Sequence, residues 1–210
     1  MERTDETLWN DHIAGDQAAF ASLVQRYARE LFSFVVRFVN DADLADDLVQ
    51  ETFLQAHLAR ESFDPTRRFR PWLFTIAANK ARDRLRQRQR RPESLASGDV
   101  DPREGNGTSL LELLGQFDTM PEQSIESNEQ AQQVRNIITD MPDALRETLL
   151  LAYFQQFAYR DIAAMLGVPV GTIKSRVHSA VKWFAREFQQ RHGEPSSNHP
   201  NLSPTAAEES

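Results

Sequence analysis

The sequence predicts an all-α protein of two small helical domains joined by an extended acidic linker, the second domain containing a helix-turn-helix. Three observations predict it. Long segments in both halves repeat apolar residues at steps of three and four, with few strand-like alternations and with Pro or Gly at the breaks. Residues 92–127 between them are rich in Pro, Gly, Ser, Asp and Glu, the composition of a linker. Near the end, a short helical segment, a glycine and a second helical segment follow one another in the order a helix-turn-helix requires. The expected divisions are 1–91, a first helical domain; 92–127, the linker; 128–192, the helix-turn-helix domain; and 193–210, a disordered tail.

Each element can be justified in order. Phe20, Leu23, Val24, Tyr27, Leu31, Phe34, Val35 and Phe38 form one buried stripe on a long helix. In DADLADDLVQETFLQAHLAR (41–60), a helical wheel gathers Leu44, Ala45, Leu48, Val49, Phe53 and Ala56 on one half. Asp46, Asp47, Gln50 and Glu51 fall on the other half with Leu54 and Leu58. Leucines among acids suit docking to a basic, partly apolar protein surface; a merely solubilised face reads equally well.

The loop FDPTRRFR (63–70) is basic and carries Phe63 and Phe69. It leads into PWLFTIAANKARDRLRQRQRR (71–91), where Pro71 fits the start of a helix. Phe74, Ala78, Ala81 and Leu85 share an inward face. The opposite arc holds Trp72, Ile76, Asn79, Asp83 and Arg86, with Arg82 beside it and Lys80 on a third flank. An indole, an amide and guanidinium groups on one arc can stack on bases, bond base edges and hold phosphates. The competing reading makes the aromatics core and the arginines a favourable helix C-terminus.

In the second half, one helix runs through ALRETLLLAYF and a shorter one through YRDIAAML. Gly167 supplies the turn, and a further helix starts near Pro169. Ile162, Leu166, Val168, Ile173 and Val177 supply the apolar contacts, while Ala163 allows a close crossing. Such a motif sets the first residues of its second helix on base edges: Val170, Gly171, Thr172, Lys174, Ser175 and Arg176.

Charge agrees with a polyanionic partner. The net charge is −7, yet residues 60–91 hold 11 Lys/Arg against 3 Asp/Glu, and residues 135–192 hold 8 against 5. The chain of 210 residues has no cysteine, which excludes disulfides and thiolate metal sites. Its beginning, MERTDETLWNDH, lacks a basic start followed by an apolar run, and no segment approaches the roughly 20 apolar residues of a bilayer span. A cytoplasmic location without membrane insertion is expected. An enzyme is disfavoured: the five histidines are scattered, and no H-E-x-x-H, phosphate loop or nucleophile motif appears. No cofactor or metal is expected.

DADLADDLVQETFLQAH, FDPTRRFRPWLFTIAANKARDRLR and YRDIAAMLGVPVGTIKSRVHSA, in this order around an acidic linker, resemble the extracytoplasmic-function sigma factors, the two-domain specificity subunits of bacterial RNA polymerase. The resemblance covers about residues 16–91 and 128–188. It implies that Asp46, Asp47, Gln50, Glu51 and Phe53 dock on core RNA polymerase. It further implies that Phe63, Arg67, Arg68, Phe69, Trp72, Asn79, Lys80, Arg82, Asp83 and Arg86 read and melt the −10 element of promoter DNA, a base being flipped out and held. Lys174, Ser175 and Arg176, with the helix start around them, would read the −35 element. An anti-sigma factor is a further partner suspected on family grounds. Two rivals, a stand-alone helix-turn-helix regulator and a polymerase-binding inhibitor, each leave part of these features without work.

Overall fold

A computed structural model of the chain describes residues 3–64, 67–90 and 129–192. Among them lie eight α-helices and no strand: α1 Asp5–Ile13, α2 Gln17–Val39, α3 Ala42–Leu58, α4 Phe69–Arg90, α5 Glu129–Asp140, α6 Asp143–Leu149, α7 Tyr159–Leu166 and α8 Val170–His192. The linker, its LLELLGQF segment (110–117) and the C-terminal tail lie outside the described residues.

Local chemistry starts and stops these helices. Thr4 caps α1, its hydroxyl accepting from the Thr7 N–H at 3.2 Å, and Asp5 and Glu6 place negative charge in the first turn. Asp16 caps α2 through the N–H groups of Ala18 and Ala19. The helix ends at Asn40, whose φ of +54° is the left-handed stop that Asn tolerates. Asp41 then caps α3, accepting from Leu44 N–H at 2.9 Å.

The stripe on α2 is buried as its periodicity predicts: Leu23, Leu31, Phe34, Val35 and Phe38 are fully covered, Tyr27 nearly so, and Phe20 and Val24 pack at the margin. α4 turns Leu73, Phe74, Ala77, Ala78 and Ala81 inward against it. This helix starts two residues before the expected Pro71. The proline still sits in the first turn, where its missing N–H has no intrahelical acceptor to lose.

The two regions share one hydrophobic core. α6 runs on into a π-type turn, Leu150–Phe154, followed by Gln155 and Phe157, and this corner packs on α2 and α4. Phe157 meets Phe74 edge-on at 5.2 Å, and the Arg70 guanidinium lies 4.2 Å over the Phe157 ring while donating to Gln155 O at 3.0 Å. Arg37 covers Phe154 at 4.8 Å, and Arg146 of α6 reaches the Phe38 ring at 5.5 Å. A guanidinium over an aromatic face keeps its charge partly solvated while its carbons cover apolar surface.

Candidate nucleic-acid interface

The helix-turn-helix forms as the sequence predicts. α7 ends at Gly167, with φ +65°, and the Val168 N–H then returns to Ala163 O at 3.1 Å. Ile162, Ala163, Ile173 and Val177 are buried between the helices, with Leu166 and Val168 packed beside them. α8 has no Ser, Thr or Asp at its start. The Pro169 carbonyl opens it instead, accepting from Thr172 and Ile173 N–H. Val170, Gly171, Lys174 and Ser175 are exposed, while Thr172 and Arg176 are half-buried. Neither Lys174 nor Ser175 makes an ion pair or side-chain hydrogen bond among the described residues, so both side chains point to solvent unspent.

α4 is different. Asn79, Asp83 and Arg86 are exposed on one arc, with Asp83 and Arg86 paired at 3.7 Å. Arg82 donates to Asn79 Oδ1, and its Nε lies 3.0 Å from Glu147 Oε1 of α6. That contact is ionic rather than an aligned hydrogen bond, since neither atom has a hydrogen-bond partner of acceptable geometry. Burial dominates at Glu147 and pushes its carboxyl up to about 7, against the downward pull of Arg82 and Arg176. On the other flank Lys80 and Arg84 both hold Glu51 of α3, at 3.1 and 3.0 Å, and Arg88 holds Asp41. The hydrogen bond from Lys80 is the main force holding the Glu51 carboxyl below its usual range. An open polar groove of about 390 Å³ runs there, lined by Glu51, Lys80, Asp83, Arg84 and Gln87.

Several expected site residues take a different place. Phe63 and Phe69 are 6% and 0% exposed, in an aromatic cluster with Trp9 and Trp72. Their rings support the surface above them instead of presenting themselves to a base, because Trp9 of α1 packs behind them. Trp72 is half-buried, its ring 4.7 Å from Phe63, so it offers an edge at most. Phe53 is 7% exposed and edge-on to Phe20, so it belongs to the α2–α3 core and not to the docking face. Arg67 and Arg68 are exposed; Arg67 lies 3.5 Å from Asp64, and Arg68 is paired with Asp161 of α7.

The α3 face keeps Asp46, Asp47 and Gln50 outward, with Leu54 and Leu58 58% and 64% exposed beside them. Glu51 faces α4 instead. Trp9, Glu147 and Asp161 were not singled out in the sequence. A carboxylate inside the apolar run LRETLLLAYF was the available signal for Glu147, since such a residue must find a cationic partner or give up its charge. Among the described residues no three His, Cys, Asp or Glu side chains gather as a metal site, and no helix is long and apolar enough to cross a membrane.

A helix-turn-helix presenting a basic recognition helix, packed on a helical domain with an arginine-lined helix, defines a DNA-binding transcription protein. Comparison with known proteins narrows the class. The family models for sigma-70 region 2 and sigma-70 region 4 match residues 23–91 and 131–184. The chain is 31% identical to the ECF RNA polymerase sigma factor SigW of Bacillus subtilis, over 78% of this chain and 86% of that protein. It is 37% identical to the ECF RNA polymerase sigma-E factor of Escherichia coli K12, over 84% and 90%. Among solved structures, that of CnrH in complex with the cytosolic domain of CnrY superposes with a TM-score of 0.65 at 25% identity, covering 89% of this chain and 97% of that one. The chain belongs to the extracytoplasmic-function RNA polymerase sigma factors. It therefore works with core RNA polymerase to direct promoter-specific transcription initiation, in a family that is not one of catalysts.

Proposed function

We propose that the two regions divide promoter recognition between them. The helix-turn-helix reads the −35 element with Val170, Gly171, Thr172, Lys174, Ser175 and Arg176. The outer arc of α4, with Asn79, Arg82, Asp83 and Arg86, Lys80 on its flank and the Arg67–Arg68 loop beside it, engages the −10 element and holds its opened strand, Trp72 lending a ring edge. The α3 face of Asp46, Asp47 and Gln50, now joined by Leu54 and Leu58, takes core polymerase. Region 1–91 thus combines docking and melting, and 128–192 duplex reading. The protein contributes no chemistry of its own and acts in the cytoplasm, where the polymerase is.

The observation that carries this reading is the pair of outward faces. α8 offers basic and hydroxyl groups from a major-groove motif, while α4 offers an amide and charged groups above an aromatic base. The acidic remainder opposes DNA binding by the free factor, and core polymerase covering α3 removes part of that repulsion. An anti-sigma factor is proposed as a further partner. CnrH was solved in complex with the cytosolic domain of CnrY, and this chain shares its fold.

Reconstituted transcription tests the assignment. Core polymerase, purified factor and a promoter library are combined with Lys174→Ala, Asn79→Ala and Asp46→Ala/Gln50→Ala variants. Lys174→Ala is expected to weaken −35 dependence about tenfold with core binding intact. The α3 double variant loses core binding. Specific DNA binding by the protein alone, with no binding to core, would replace this reading with that of a stand-alone regulator.

A further inference from the structure

We propose that α1 is a positioning element for the −10 reader, acting through Glu6 and Trp9. The inference rests on the assignment of α4 to the −10 element. α1 precedes the segment that matches sigma-70 region 2, which begins at residue 23.

Every α-helix begins with N–H groups that lack intrahelical acceptors. The residue before α4 is Arg68, whose guanidinium has no acceptor and is turned away to Asp161. The acceptor comes instead from sixty-three residues earlier, where Glu6 Oε1 accepts the Phe69 N–H at 3.2 Å. The same carboxylate sets negative charge at the positive end of the helix. Trp9, one turn further along α1, is completely buried and fills the angle behind the α4 start. Its ring centroid lies 4.9 Å from Phe69, 5.2 Å from Trp72 and 5.8 Å from Phe63. Together they fix both ends of the loop that carries Arg67 and Arg68.

α1 is itself held from both ends. Asp5 accepts from Arg26 and from the Tyr27 hydroxyl of α2, and Tyr27 in turn packs on Phe69 at 5.8 Å. At the other end, His12 Nε2 lies 3.1 Å from His57 Nδ1 of α3, and the His12 ring stacks on Phe20. A side chain that caps from so well anchored a helix sets the direction in which α4 leaves the loop. That direction fixes where Asn79 and Arg86 meet a strand. A misplacement of about 1 Å is enough to cost contacts of this kind.

The experiment compares Glu6→Ala, Glu6→Gln and Asn79→Ala in holoenzyme assembled from the full-length factor. Core binding is read by fluorescence anisotropy, and promoter opening by permanganate reactivity of unpaired thymines at the −10 element. Glu6→Gln keeps an oxygen acceptor and loses only the charge. The expected result is promoter opening reduced about fivefold in Glu6→Ala, core affinity unchanged, and recovery to within about twofold of wild type in Glu6→Gln. Opening at the wild-type level in Glu6→Ala, with Asn79→Ala impaired, overturns the proposal while the −10 assignment stands. Opening unaffected by Asn79→Ala as well would remove the −10 assignment itself. Equal loss of core binding and opening in Glu6→Ala would mark Glu6 as merely structural and also overturns it. So would equal impairment of the Ala and Gln variants, because the acceptor would then not be what matters. Trp9→Phe supplies a second arm: it retains an aromatic ring beside Phe69 and should lower opening more than core affinity.

Discussion

α4 and the start of α8 are both assigned to DNA, yet they carry positive charge in opposite ways. On α4, Lys80, Arg82, Arg84, Arg86 and Arg88 each already face a carboxylate: Glu51, Glu147, Glu51, Asp83 and Asp41. On α8, Lys174 and Ser175 stand in solvent. A duplex reader gains from unspent donors, because each phosphate contact releases counterions. A helix that must hold separated bases gains more from a rigid arc in which amide and aromatic groups have fixed places, and internal ion pairs supply that rigidity. Arg82, Arg84, Arg86 and Arg88 are therefore as much scaffold as bait.

Four perturbations sharpen or break this contrast. The largest effect is expected from Trp9→Ala, which empties the fully covered aromatic base of α4. It should destabilise the first region by about 3–5 kcal/mol in urea unfolding, while the α7–α8 motif unfolds as before. Equal loss in both regions would show that the two helices rest on one cooperative support.

Next comes the contact between regions at Glu147. Its carboxyl in the folded chain lies at about 7, above the ordinary 4.5, so the folded protein keeps a proton that the unfolded chain has lost. The stabilisation is fully present below about pH 4.5 and disappears as pH rises through about 7. Folding stability should fall from pH 5 to 8 by an amount of order 1–3 kcal/mol. Urea unfolding at each pH reads it, and Glu147→Gln should flatten the pH response. A response left unchanged in that variant would assign it to another group.

Gly167→Ala is a purely backbone test of α8. Nothing lies within 4 Å of the added Cβ, yet φ is +65°, so about 1 kcal/mol should be lost from the second region alone, seen as a lower Tm. The smallest change is Glu51→Ala. The pairs it breaks are partly exposed, so stability should fall by no more than about 1 kcal/mol. Lys80 and Arg84 become available to phosphates, and the salt dependence of holoenzyme binding to single-stranded −10 DNA should steepen. An unaltered slope would mean that α4 cations stay engaged elsewhere.

Much of this architecture was legible in the sequence. The α2 stripe, the inward Phe74–Ala78–Ala81 face and the left-handed Gly167 follow from helical period and glycine chemistry alone. The aromatic loop was misjudged at Phe63 and Phe69 because periodicity says nothing about a loop, where burial depends on what packs behind it. Here that is Trp9, on a nine-residue helix too short to show a period. Phe53 already fell on the inward half of its own wheel, and its docking role was implied only by resemblance. Arg82 with Glu147, and Arg70 with Gln155, join residues far apart in the chain, which no local pattern reveals.

The packing of Phe157, Arg70 and Glu147 against the first region has a mechanical consequence. Promoter elements named −35 and −10 lie about 25 base pairs apart, on the order of 85 Å at 3.4 Å per pair. Under the proposed assignment, α4 and α8 cannot stand at both places while the Arg82–Glu147 and Arg70–Gln155 contacts hold the regions together. Residues 91–128 supply enough chain to bridge that gap, at roughly 3.3 Å per residue when extended. Occupancy of a promoter is thus multiplied by the fraction of molecules in which this contact has parted. Any ligand that binds only the parted form, polymerase or DNA, raises the apparent affinity of the other without touching it. Under the proposed assignment, the interface between the regions thereby couples the binding of polymerase to the binding of promoter DNA.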